Sequence, residues 1–351
     1  MKKNKTAEVF LALLILIVMS AGILILQNGM EKLQSVKQES VYVPETRDLY
    51  NNYGLKNDQS LSKTKILETQ DQVIYTDRIF NINQISEENI SYAADIMKAL
   101  QKKSGKATYI MPIPQRAVFE SGYETEKEKY SDFIEKLEAS FSDPSVVLNP
   151  LSELEKHQDE YIYFRTGNSW TMRGAFYGAQ VIFGELGYDQ ENLDGYREYV
   201  FGNFKGNLLL EALGKYTTDE IKKGIENMEE EPFYIYINGS NPNREELTFE
   251  NKEGQLQTLK RQTIQFNGSG NYAVIGSGYK HSIVEGRGKG QRKGNLLLIA
   301  DTRGKMMISY LSEIFEKVYV SNMYEDADLI QNLDEILEKY DIEYILSLIH
   351  I

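Results

Sequence analysis

Apolar positions along this chain fall into three kinds of run. The first is Val9 to Gln27, VFLALLILIVMSAGILILQ, which carries no charge. At 1.5 Å per residue it reaches roughly 28 Å, enough for a bilayer core of about 30 Å, and it predicts one N-terminal transmembrane helix. The second kind has helical spacing. Ile90, Ala94, Met97 and Leu100 predict a helix from Ser86 to Lys103, with Gly105 as its stop signal. Tyr130, Phe133, Ile134, Leu137 and Phe141 predict a second amphipathic helix, and Thr171 caps a third running to about Gly184. The third kind is the short strand-like run: Ala107 to Ile113, Val146 to Leu148, Tyr161 to Phe164 and Phe233 to Ile237, with further strands near Leu247 and Thr263.

The last part of the chain is the most regular. Leu296 to Ala300 is a continuous apolar run of the kind found in a central parallel strand. A helix through about Phe315 follows, then the strand Val318 to Val320. Leu329, Ile330, Leu333, Ile336 and Leu337 line a further helix, and Ile342 to Leu346 is the closing strand. Strand–helix–strand–helix–strand predicts an α/β fold with a mostly parallel, doubly wound sheet. Residues 185–275 lack this regularity and read as a β-rich insertion.

Lys2, Lys3 and Lys5 precede the long apolar run, so the positive-inside rule places residues 1–8 in the cytoplasm. Residues 9–27 then form a signal anchor, 28–70 a polar juxtamembrane stalk and 71–351 an extracytoplasmic domain. A cleaved signal peptide is the rival, given Ser20-Ala21-Gly22, but the apolar run continues through Leu26 with no A-x-A site after it. The expected location is the cell membrane, single-pass, with the C-terminal domain outside.

Composition narrows the chemistry. The chain has 351 residues, 39 Lys+Arg against 52 Asp+Glu, and a net charge of -13. With the three N-terminal lysines and Glu8 set aside, 36 basic and 51 acidic residues remain for the outer part. That balance argues against a nucleic-acid partner and against adsorption on anionic lipid. The absence of cysteine removes thiol catalysis, iron–sulfur clusters and Cys-based zinc sites. The three histidines, His157, His281 and His350, are scattered. No cofactor or metal is expected.

In a doubly wound sheet, reactive groups sit at the carboxyl ends of strands. Two segments qualify. Asp301-Thr302 follows the strand Leu296 to Ala300, where a hydroxyl would lie near the N–H groups of a helix start. Phe164-Arg165-Thr166-Gly167-Asn168-Ser169-Trp170 joins a strand to a helix.

These segments carry a resemblance. YIYFRTGNSWTMRGAFYGAQ, Tyr161 to Gln180, resembles the signature of the bacterial DHHW proteins, in which Asp-His-His-Trp follows Tyr/Phe-Arg-Thr. LLLIADTRGKMMISYLSEIFEKVYV, Leu296 to Val320, resembles that family's nucleophile block, a strand followed by Asp-Ser. IMPIPQRAVFE, Ile110 to Glu120, is similar to its early strand and turn. The family is similar to the alginate O-acetylation proteins. The resemblance implies an SGNH-like three-layer α/β/α fold, a membrane anchor, and acetyl transfer to or from cell-surface polysaccharide. The implied partners are that polysaccharide or the membrane proteins of an acetylation complex.

Carried over position by position, the resemblance puts the family's Asp on Gly167, its two His on Asn168 and Ser169, and its nucleophilic Ser on Thr302. The amide-donor segment falls on Gly276-Ser277-Gly278. Trp170, Gly174, Ala175, Tyr177 and Asp301 match. A hydroxyl needs a base to become a nucleophile, and Gly, Asn and Ser supply none. Loss of such a triad lowers rate by about 10⁴ to 10⁶. The expectation is therefore a non-catalytic member that binds or scaffolds, with Arg165, Asn168, Trp170, Tyr177, Ser277 and His281 as binding candidates. The alternative is an active O-acetyltransferase or esterase that uses Thr302 as nucleophile and His281 as surrogate base.

Other features have plainer readings. His157, in EKHQDE, reads as a solvated helix end. GRGKGQRKG, Gly286 to Gly294, fits neither phosphate-loop spacing and reads as a flexible basic loop or a landing site for an anionic glycan. Sequons at Asn89, Asn238 and Asn267 matter only in a host that glycosylates secreted proteins.

Overall fold

A computed structural model describes residues 61–351, apart from 189–191, 239–244, 251–255, 262–263, 267–271, 275–280, 286–292, 302, 322–327 and 351. Its centre is a seven-stranded sheet in the order β4 (Ala107–Ile113), β14 (Ile342–His350), β12 (Asn295–Ile299), β13 (Lys317–Ser321), β11 (His281–Glu285), β7 (Glu245–Glu250) and β8 (Leu256–Arg261). The first four strands run parallel, and the other three extend the sheet antiparallel. The fold is thus mixed α/β, with the parallel part where the apolar runs predict it.

Both faces of the parallel strands are buried, which explains why their sequences are continuously apolar. On one face Leu296, Leu298, Val318, Val320, Leu346 and Leu348 pack against α4 (Met172–Glu185) and α7 (Ile308–Ile314). On the other, Leu297, Ile299, Tyr319 and Ile345 meet Leu100 of α1 (Glu87–Ser104) and Leu333 and Ile336 of α8 (Leu329–Lys339). Each such side chain stabilises the fold by about 1.5–3 kcal/mol. Helix α1 has Glu87 and Glu88 in its first turn and Lys102 and Lys103 in its last, matching its dipole. It stops at Gly105, whose φ of +59° suits glycine. Helix α2 (Glu124–Glu138) buries Tyr130, Phe133, Ile134 and Leu137; Phe141 lies beyond its end.

Two expected strands are absent. In place of a strand at Val146 to Leu148, Val146 closes a 3₁₀ turn, Pro144–Val146, because Pro144 starts it and the Asp143 carboxylate accepts from Ser145 N at 3.0 Å. Only Val147 bridges to Ile110. Tyr161 to Phe164 makes a single bridge, Tyr163 to Trp170, as the chain turns back on itself; its aromatic residues fill the core.

Residues 185–275 carry a hairpin of β5 (Tyr196–Phe204) and β6 (Glu231–Asn238), strands β7 and β8 that join the main sheet, and a small pair, β9 (Ile264–Phe266) and β10 (Tyr272–Val274). They also hold two helices that the sequence reading leaves out, α5 (Asn207–Lys215) and α6 (Asp219–Glu226). Leu208, Leu209, Ala212 and Ile225 on these helices pack against Ile74 and Ile79. The latter belong to a three-stranded sheet of β1 (Lys65–Glu68), β2 (Gln72–Tyr75) and β3 (Ile79–Asn81). Strand β1 falls inside the stretch assigned to a stalk: Ile66 and Leu67 add to the same cluster, so regular structure begins before residue 71.

Among the described residues no helix is long and apolar enough to cross a membrane. The segment Val9 to Gln27 lies outside the described residues.

Candidate functional site

The two segments singled out from the sequence meet in space. Trp170 is fully buried, and its indole Nε1–H donates to the Arg303 carbonyl at 3.1 Å. A second tie runs from the Tyr310 hydroxyl to the Met172 carbonyl at 2.9 Å. The loop before α4 is thereby fixed against the turn after β12, at the carboxyl end of the parallel strands.

The 164–169 loop is held by one carboxylate. Glu231, at the start of β6, is 3% exposed and accepts from the Tyr161 hydroxyl, Arg165 N at 2.6 Å, Thr166 N at 2.8 Å and the Thr166 hydroxyl. Burial pushes this carboxyl up from its ordinary value, and the hydroxyl and amide donors oppose that rise. Thr166 Oγ1 also accepts from Gly206 N at 2.8 Å. A Cβ at Gly206 would lie 2.2 Å from the Thr166 carbonyl carbon, so this approach needs glycine. The Arg165 carbonyl accepts from Ile79 N at 2.8 Å, and Phe164 N donates to the Ser169 carbonyl at 3.1 Å. Nearby, Arg78 and Arg116 converge on the buried Glu120, and Arg116 Nη1 reaches the Tyr163 carbonyl at 3.3 Å.

On this scaffold the candidate positions separate. Gly167 has no side chain, and Asn168 N donates to Asn207 Oδ1 at 3.2 Å near the surface. The Ser169 hydroxyl is buried and has no hydrogen-bond partner. Tyr177 belongs elsewhere. Its hydroxyl donates to Glu160 at 2.8 Å, and its ring stacks on His157 with centroids 3.6 Å apart. Glu160 also pairs with Arg173, whose Nε–H donates to the Tyr236 hydroxyl at 3.0 Å. His157 is therefore a half-buried part of this cluster and not a solvated helix end. His281 starts β11 opposite Ser321, two strands from β12; its side chain, like Thr302, Ser277 and residues 286–292, lies outside the described residues.

Asp301 is the matched family residue around which side chains gather. Oδ1 accepts from Gly304 N at 2.8 Å, where the 3₁₀ turn Gly304–Met307 begins, and Oδ2 pairs with Arg303 Nε. His350 Nδ1 lies 3.1 Å from Oδ1. That is within ion-pair reach but off hydrogen-bond geometry, so both ring nitrogens remain without a hydrogen-bond partner. The imidazole meets the Trp170 ring edge-on with centroids 5.9 Å apart.

Burial opposes the charge on Asp301, yet the His350 ring, Arg303 and the Gly304 N–H together hold its carboxyl well below the usual range. Burial also lowers His350, and the attraction of Asp301 does not offset it. The ring is thus neutral near pH 7.

Sequence reasoning missed His350. The available signal was the apolar run continuing past Leu346 through Leu348 and Ile349. Ser347 pairs with Ile299, so three further residues of β14 carry His350 past the end of β12 to the level of the Asp301 turn.

A prediction follows from the sign of the shift. A depressed imidazole pKa means that the unfolded chain takes up a proton first as pH falls below about 6.5. This contribution to stability is present above that pH and is lost as pH drops through the folded value. Urea midpoints of the full chain should fall between pH 7.5 and 5, and His350→Gln should flatten that decline. An unchanged slope in the variant would place the titration elsewhere.

Comparison with known proteins agrees with the residue-level resemblance. The family described as DHHW protein matches residues 44–321. A DHHW family protein from Eubacterium siraeum DSM 15702 superposes with a TM-score of 0.63 at 20% identity, covering 82% of this chain and 93% of its own. Bacillus cereus PatB1, solved with a sulfonyl adduct, gives 0.54 at 15% identity, covering 78% and 92%. The O-acetyltransferase domain of Pseudomonas putida AlgJ gives 0.45 at 10% identity, covering 78% and 87%. No curated protein matches the chain. With most of its length matched by the family, its fold shared with a solved member and its Trp170 and Asp301 blocks in contact, this chain belongs to the DHHW family.

Proposed function

We propose that this chain serves the O-acetylation of a cell-envelope polysaccharide as a binding member that does not turn over acetyl esters. In this reading Val9 to Gln27 anchors it, its folded part faces outward, and its partners are the polymer or membrane proteins of an acetylation complex. The family and the fold shared with PatB1 support the general role. One observation carries the non-catalytic part. The loop that presents Gly167, Asn168 and Ser169 is pinned to Glu231 and Gly206, and it offers no side chain able to take a proton near pH 7 where the family has its Asp and His.

The test is hydrolysis of 4-nitrophenyl acetate by the full-length chain in mild detergent. The native protein should match buffer, and so should Thr302→Ala. Turnover that disappears in Thr302→Ala overturns the reading. A second reading, acyl transfer from Thr302, is favoured by the buried His350 imidazole lying 3.1 Å from Asp301, a histidine and a carboxylate beside the family's nucleophile position. It requires activity that His350→Gln also abolishes.

A further inference from the structure

We draw no further inference here: the strongest candidate, the surface patch on α5 where the exposed Leu210 follows Asn207 and its contact to Asn168, is an apolar face for which nothing in the structure shows what covers it.

Discussion

Glu231→Gln should lower the unfolding midpoint of the folded part by on the order of 10 °C, although the two side chains have the same shape. The carboxylate is met by four donors: the Tyr161 and Thr166 hydroxyls and the N–H groups of Arg165 and Thr166. Glutamine keeps one acceptor oxygen and turns an NH₂ group toward the rest. The donors stranded at Nε2 lie in a site 3% exposed, where each unmade bond costs about 1–3 kcal/mol. For a domain of this size each kcal/mol moves the midpoint by about 2–4 °C. Circular dichroism melts of both proteins check this. A midpoint within about 2 °C of native would mean that the loop is held by something else.

The second large effect is a gain. Gly167→Asp, Ser169→His and Thr302→Ser together restore the family's residues to a loop that is already in place. The triple variant should hydrolyse 4-nitrophenyl acetate about 10² to 10³ times faster than native, the contribution of a positioned general base. The backbone at Gly167 permits the change, since its φ lies outside the positive region, although a Cβ there would sit 3.2 Å from Phe164 Cβ and require a small adjustment. Ser169→His is the harder step, because the site is buried and overpacking costs about 1–3 kcal/mol. A melt of the triple variant therefore accompanies the kinetics. A folded triple variant as inert as native would show that more than the triad has been lost.

The sequence foretold the parallel strands, because a strand buried on both faces must be apolar throughout, as Leu296 to Ile299 and Val318 to Val320 are. It foretold α1, α4 and α8, whose apolar stripes recur at helical spacing and whose ends carry their own signals, Gly105 and Thr171 among them. It overstated strand at Tyr161 to Phe164, where β-forming aromatic residues are spent on filling the core around Trp170. It passed over α5 and α6, whose apolar faces make sense only against the small N-terminal sheet.

The site was legible in part. Asp301 and Trp170 stand in recognisable local blocks, and their contact joins segments 133 residues apart. Glu231 and His350 stand in none. Glu231 acts through backbone N–H groups 65 and 66 residues away, and His350 reaches Asp301 only because β14 lies beside β12. Tyr177 was assigned to the site from its place in the motif, yet helix geometry turns it toward Glu160 and His157.

The central claim is that the native chain has no activated hydroxyl at the family's nucleophile position. Intact-mass spectrometry after incubation with an aryl sulfonyl fluoride tests it most directly, since sulfonylation requires such a hydroxyl and PatB1 has been solved carrying a sulfonyl adduct. The native chain should keep its mass, while the triple variant should gain one sulfonyl group at residue 302. A native chain that takes up one equivalent, lost in Thr302→Ala, would contradict the account and identify an enzyme that had rebuilt its base.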